Sequence, residues 1–177
     1  LVVSAWAFAD EPLPEIRLDG PNVRIKNVGS QPLTAYWYEV RIPNRNATEG
    51  VDGSALAPGG ETVNPSGALD FDAPPEAAKM IAAIYADGSP AGDPVVVEQI
   101  LEGRRALLRA TRQLIARFEG AESSGLSKTA LRAELAQMQT GVAMLASRAL
   151  DQRSIAEELA ALRRNERWQM ERKPSLE

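Results

Sequence analysis

The sequence predicts an α+β protein: an N-terminal antiparallel β-sandwich followed by a C-terminal α-helical hairpin or three-helix region. Three observations carry this reading. Before Val96 the residues fall into short alternating runs separated by Gly, Pro, Asn and Asp turns. After Val96 no proline occurs until Lys173-Pro174, and apolar residues recur at helical spacing. The charge changes over at the same place. Residues 1–96 carry 6 Lys and Arg against 13 Asp and Glu, whereas residues 97–177 carry 14 against 11. The chain of 177 residues is long enough for one large domain or two small ones. Its organisation reads as an N-terminal segment over 1–14, a sandwich over 15–95, a helical region over 96–173 and a tail over 174–177 that resembles a cloning scar.

Leu1 to Ala9 is an apolar run ending in Ala-x-Ala, followed by the polar Asp10-Glu11-Pro12-Leu13-Pro14. It reads as the remnant of a secretory signal peptide cleaved after Ala9, with a first β-strand as the alternative. The expected location is therefore secreted or periplasmic. No other stretch is apolar and long enough to span a membrane, so no membrane contact is expected beyond the signal peptide.

Glu15–Asp19 and Val23–Lys26 alternate and end at turn residues. Leu33–Ile42 is the strongest strand, with Tyr36, Tyr38, Val40 and Ile42 on one face and Ala35, Trp37, Glu39 and Arg41 on the other. Residues 43–60 contain four glycines and are expected to form a loop with at most one short strand. Glu61–Asn64, Leu69–Phe71 and Lys79–Tyr85 are the remaining strand candidates. Asn27-x-Gly29-x-x-Pro32 followed by Leu56-Ala57-Pro58-Gly59-Gly60 resembles the turn pattern of immunoglobulin-like sandwiches in uncharacterised secreted bacterial proteins with a helical C-terminal region. The similarity covers roughly residues 15–95. It implies a binding or spacer module and brings no catalytic residues with it.

From Val96 to Phe118 the apolar residues Val97, Ile100, Leu101, Leu107, Leu108, Leu114, Ile115 and Phe118 share one arc of a helix that Gly120 is expected to stop. Ser127 is placed to cap a second helix. There Leu131, Leu135, Met138, Val142, Leu145 and Ala149 repeat as a heptad seam. Ile155, Leu159 and Leu162 form a third stripe behind a capping box, Ser154-x-x-Glu157. Three helices are expected, with a long-helix hairpin as the alternative.

The chain has no His and no Cys, which removes most metal and nucleophile chemistry. Phosphate-loop, dinucleotide and serine-nucleophile motifs are absent from the sequence. Asp70-x-Asp72 and Asp87…Asp93 read as turn residues, with a carboxylate-based hydrolase or a Ca²⁺ site as minor alternatives. No catalytic, cofactor or metal residues are assigned. The interaction candidates are Trp37, Arg41, Arg104, Arg105, Arg109 and Arg112. Trp37 is either an exposed recognition residue or is covered by the helical half. Arg104 falls inside the apolar arc, where it either pairs with a carboxylate or snorkels to water. Arg105, Arg109 and Arg112 form a row that suits anions, but interleaved Glu98 and Glu102 favour a solvated face. The expected function is a non-enzymatic protein-interaction or structural module that binds a protein partner and no nucleic acid. The alternative is an envelope or fibre subunit that self-associates through its helices or N-terminal segment.

Overall fold

The computed structural model describes residues 11–65, 75–138 and 140–172. Among them lie seven strands: β1 (Glu15–Asp19), β2 (Asn22–Lys26), β3 (Leu33–Ile42), β4 (Arg45–Leu56), β5 (Glu61–Pro65), β6 (Ala77–Tyr85) and β7 (Pro90–Gly92). Four helices follow: α1 (Pro94–Ser124), α2 (Lys128–Gln137), α3 (Gly141–Ala149) and α4 (Ile155–Arg172). The chain divides into two compact units between Leu101 and Glu102, so the first two turns of α1 belong to the sandwich unit. The expected signal remnant over Leu1–Ala9, the strand Leu69–Phe71 and the acids Asp70 and Asp72 lie outside the described residues.

The strands form two antiparallel sheets in the orders β1-β2-β5 and β4-β3-β6-β7. Strict alternation puts Tyr36, Tyr38, Val40 and Ile42 into the space between them. There they meet Val23 and Ile25 from β2 and Met80, Ala83 and Tyr85 from β6. The other face of β3 and β6 is apolar as well. Ala35, Ala82 and Ile84 are buried there beneath Val97 and Ile100, the first turns of α1. β6 is therefore covered on both faces, which is why it reads as a continuous apolar run.

Residues 43–60 differ from the expected loop, because they build the twelve-residue strand β4. Pro43-Asn44 makes a two-residue turn that pairs Ile42 with Arg45, and the ladder then continues to Leu33↔Leu56. Its glycines have tertiary causes. Gly50 lies directly opposite Trp37, and a Cβ on it would run into the indole ring. Gly53 has φ +100°, in a stretch where the register with β3 shifts between Leu33 and Ala35.

The first helix also runs further than expected. It passes through Gly120, where a Cβ would meet nothing within 4 Å, and stops before Gly125 at φ +67°. The Leu126 amide there bonds back to the Ala121 carbonyl at 2.9 Å, closing the helix as a left-handed glycine allows. The expected second helix is two helices. Thr140 takes an extended conformation (φ −106°, ψ 146°), and its side chain accepts from the Ala143 amide, so a new helix starts within the apparent heptad run. The seam divides accordingly. Leu131 and Leu135 are buried with Leu114, Phe118, Ala143, Ala146, Leu150 and Leu159, whereas Leu145 is turned outward. Ser127 caps α2 as expected. The capping box forms as written, with the Ser154 amide donating to Glu157 Oε2 at 2.7 Å and the Glu157 amide donating to Ser154 Oγ at 3.2 Å.

Candidate functional site

The polar residues of the sandwich unit converge on its turns. Asn27 is fully buried, and its amide joins two turns that are distant in sequence. Its Nδ2 donates to the carbonyls of Gln31 and Leu56, both at 2.8 Å, and its Oδ1 accepts from the Gly29 amide at 2.9 Å. Its backbone also bonds to Gly59 and Gly60. The two segments of the turn pattern, Asn27–Pro32 and Leu56–Gly60, thus form one structural node. Glu11 anchors the N-terminal approach to the same turn, because Ser30 donates to it from both its amide (2.9 Å) and its hydroxyl (2.5 Å). Gly29 must lack a side chain there: a Cβ would fall 2.6 Å from Glu11 Oε2 and 2.7 Å from the Tyr85 ring. Tyr85 donates to the Pro12 carbonyl at 2.5 Å, and its phenol is pushed up to about 12 by burial, with the Glu11 charge adding to the effect.

A second polar group sits between the sheets. Tyr36 and Tyr38 stack at 6.2 Å, Asn64 donates to both hydroxyls at 3.2 and 3.3 Å, and Tyr38 donates to Glu49. Burial is the main force holding both phenols protonated, and for Tyr38 the Glu49 bond reinforces it. Asp87 and Asp93 have local roles. Asp87 accepts from the Ser89 amide and hydroxyl at 2.9 and 2.6 Å, and Asp93 accepts from the Val95 amide at 2.8 Å to cap α1 behind Pro94. Their carboxylates therefore serve turn and cap.

The sequence-derived interaction residues separate into three groups. Trp37 is half-buried, lying over Gly50 and packed against the cluster that Val97 and Ile100 complete. Arg104 is 1 % exposed and among the largest fully buried side chains. Its Nη1 is out of contact with water, so the snorkelling alternative is not what the structure adopts. The others are surface cations with carboxylates beside them. Arg41 faces Glu76 at 3.5 Å, Arg105 faces Glu102 at 3.6 Å, Arg109 meets Glu102 at 2.6 Å and Arg112 meets Glu166 at 2.7 Å. The Arg109 hydrogen bond, more than any other contact, holds the Glu102 carboxyl below the usual glutamate range. Each arginine of the Arg105–Arg109–Arg112 row thus has a carboxylate beside it, with Glu102 shared by two of them.

The surface that sequence reasoning missed lies in the helical unit. Leu135 and Ala136 of α2, with Thr140, Gly141, Met144 and Arg148 around α3, line an open groove of about 500 Å³. Met144 is 52 % exposed and its neighbour Leu145 63 %. Gly141 leaves the groove open, since a Cβ there would meet nothing within 4 Å. The only sequence signal for it was Thr140-Gly141, a cap residue followed by a small one inside an otherwise regular seam. Among the described residues no helix is long and apolar enough to cross a membrane.

No protein-family model matches this sequence, and neither the curated proteins nor the solved structures contain a significant match.

Proposed function

We propose that the chain is a non-enzymatic protein-interaction or structural module of the secreted or periplasmic space, built on an immunoglobulin-like sandwich. The strand orders β1-β2-β5 and β4-β3-β6-β7 support the immunoglobulin-like part, because strands 1, 2 and 5 against 4, 3, 6 and 7 follow the Greek-key division of such sandwiches. The observation that carries the functional part is Met144, exposed and lining an open apolar groove, with its sequence neighbour Leu145 exposed as well. Single exposed apolar residues are ordinary, but an exposed methionine lining an apolar groove marks a surface that gains by being covered. Self-association through the same helices is the alternative, since Leu145 belongs to the apolar seam yet faces out.

Light scattering across a wide concentration range, with and without residues 1–9, tests this reading. A monomer throughout is expected. Concentration-dependent dimers or polymers would replace the module with a self-assembling subunit.

A further inference from the structure

We propose that the α2–α3 groove receives an acidic amphipathic helix from a partner protein. This rests on the interaction-module reading above and specifies the chemistry of what its surface takes.

The shape argument comes first. The groove lies between two short helices, and small or apolar residues, Leu135, Ala136, Gly141 and Met144, line it beside the polar Thr140, Ser147 and Arg148. A third helix packs against such a pair by setting its own ridge of side chains between them. A volume of about 500 Å³ falls within the range, roughly 300–1,000 Å³, of sites that accept ligand groups. Methionine at the rim suits this role, because its unbranched thioether adapts to the shape of what it covers.

Charge decides the kind of helix. Among the described residues no carboxylate lines the groove, and the one charged lining residue is Arg148. Arg148 is exposed, one turn beyond Met144, in the last turn of α3. Among the described residues it has no ion pair, in contrast to Arg132, Arg153 and Arg163. Arg132 pairs with Asp151, Arg153 with Glu158 at 2.7 Å and Arg163 with Glu119 at 2.8 Å. Lys128 is also engaged, capping the Leu150 and Arg153 carbonyls at 3.3 and 3.0 Å. An apolar floor beside an uncompensated cation is complementary to a helix with leucines at i, i+3, i+4 and i+7 and glutamates flanking them. A basic helix would place like charges together at Arg148 and lose affinity and encounter rate.

Two synthetic peptides test the proposal on the full chain: a fluorescent helix with that leucine spacing and flanking glutamates, and its twin with lysine at every glutamate position. The acidic peptide is expected to bind about tenfold more tightly than the basic one by fluorescence anisotropy. Arg148→Glu is expected to reverse that order, and Met144→Ala to weaken both peptides. Both variants sit on the surface, so thermal unfolding and helical content should match the parent. Equal binding of the two peptides, binding of neither, or an order that Arg148→Glu leaves unchanged would overturn the proposal. A dimer in light scattering that Arg148→Glu dissolves would also overturn it, by making the occupant a second copy. If the peptides fail while the chain stays monomeric at every concentration, the groove assignment alone has failed. If the chain polymerises, the module reading itself has failed.

Discussion

The sandwich unit and the helical unit satisfy their backbone polar groups in opposite ways. In the sandwich, one buried side chain serves several turns: Asn27 ties the turn before β3 to the turn before β5 through groups up to 29 residues away. In the helical unit the helix starts are closed by the residue at hand, and Lys128 makes the longer reach, to the Leu150 and Arg153 carbonyls. Ser127, Thr140 and Ser154 each accept an amide three residues on. The sandwich therefore depends on polar contacts between segments far apart in sequence. The helical unit depends on local caps plus an apolar cluster centred on Leu114, Phe118, Leu131 and Leu135. Changes at a cap are paid for locally, whereas changes at Asn27 spread to two turns at once. This difference explains why the helical unit can turn Met144 and Leu145 outward: its termini are held by caps, and the inward stripe needs only Ala143, Ala146 and Leu150 from that segment.

Asn27→Ala is the substitution expected to weaken the molecule most under this comparison. It leaves the Gln31 and Leu56 carbonyls and the Gly29 amide without their partner in a site of zero exposure. Each buried group left unsatisfied costs about 1–3 kcal/mol, so a loss of about 2–4 kcal/mol is expected in urea unfolding, part of the groups finding water. A loss below about 1 kcal/mol would mean that the node is not what joins the two turns. Gly50→Ala comes next. The added methyl must displace the Trp37 indole, and overpacking of that kind costs about 1–3 kcal/mol. In a Trp37→Ala background the same change should be nearly neutral, so the double-mutant cycle isolates the contact. Additive effects would show that Gly50 serves the strand backbone and not the tryptophan.

Gly50 also shows where the sequence could be read and where it could not. β3 was legible because ten residues alternate without a glycine or proline, so the period alone assigns both faces. The capping box was legible because its chemistry is contained in four residues. β4 was not, because Gly50 and Gly53 look like loop residues until Trp37 and the register shift supply their reasons. The heptad seam misled for a related cause. Its spacing is regular, but Thr140 favours capping over continuing, and one capped start re-phases everything after it. The arginine row was legible as helix surface. Its compensation across to Glu166 was not, because that contact spans 54 residues. The α2–α3 groove depends on that same re-phasing, and so it could be found only once the helix break was known.

The smallest expected effect comes from the cap of α4, and its pH dependence separates a local device from a global one. The Glu157 carboxylate accepts from the Ser154 amide at 2.7 Å and its hydroxyl at 2.8 Å. These bonds, the amide first, hold the carboxyl below the usual glutamate range. Because the folded value is depressed, the contribution is complete above the unfolded carboxyl value and is lost as pH falls through the lower folded one. Glu157→Gln keeps the capping shape and removes the charge, so it should be insensitive across that window. Nuclear magnetic resonance titration of the carboxyl, with hydrogen exchange of the Ser154 amide alongside, measures both. The amide should lose protection as Glu157 protonates, while protection of the β3 amides is unchanged. Loss of protection in β3 over the same window would show that a cap of the helical unit governs the sandwich, and the contrast between a non-local and a local architecture would have to be abandoned.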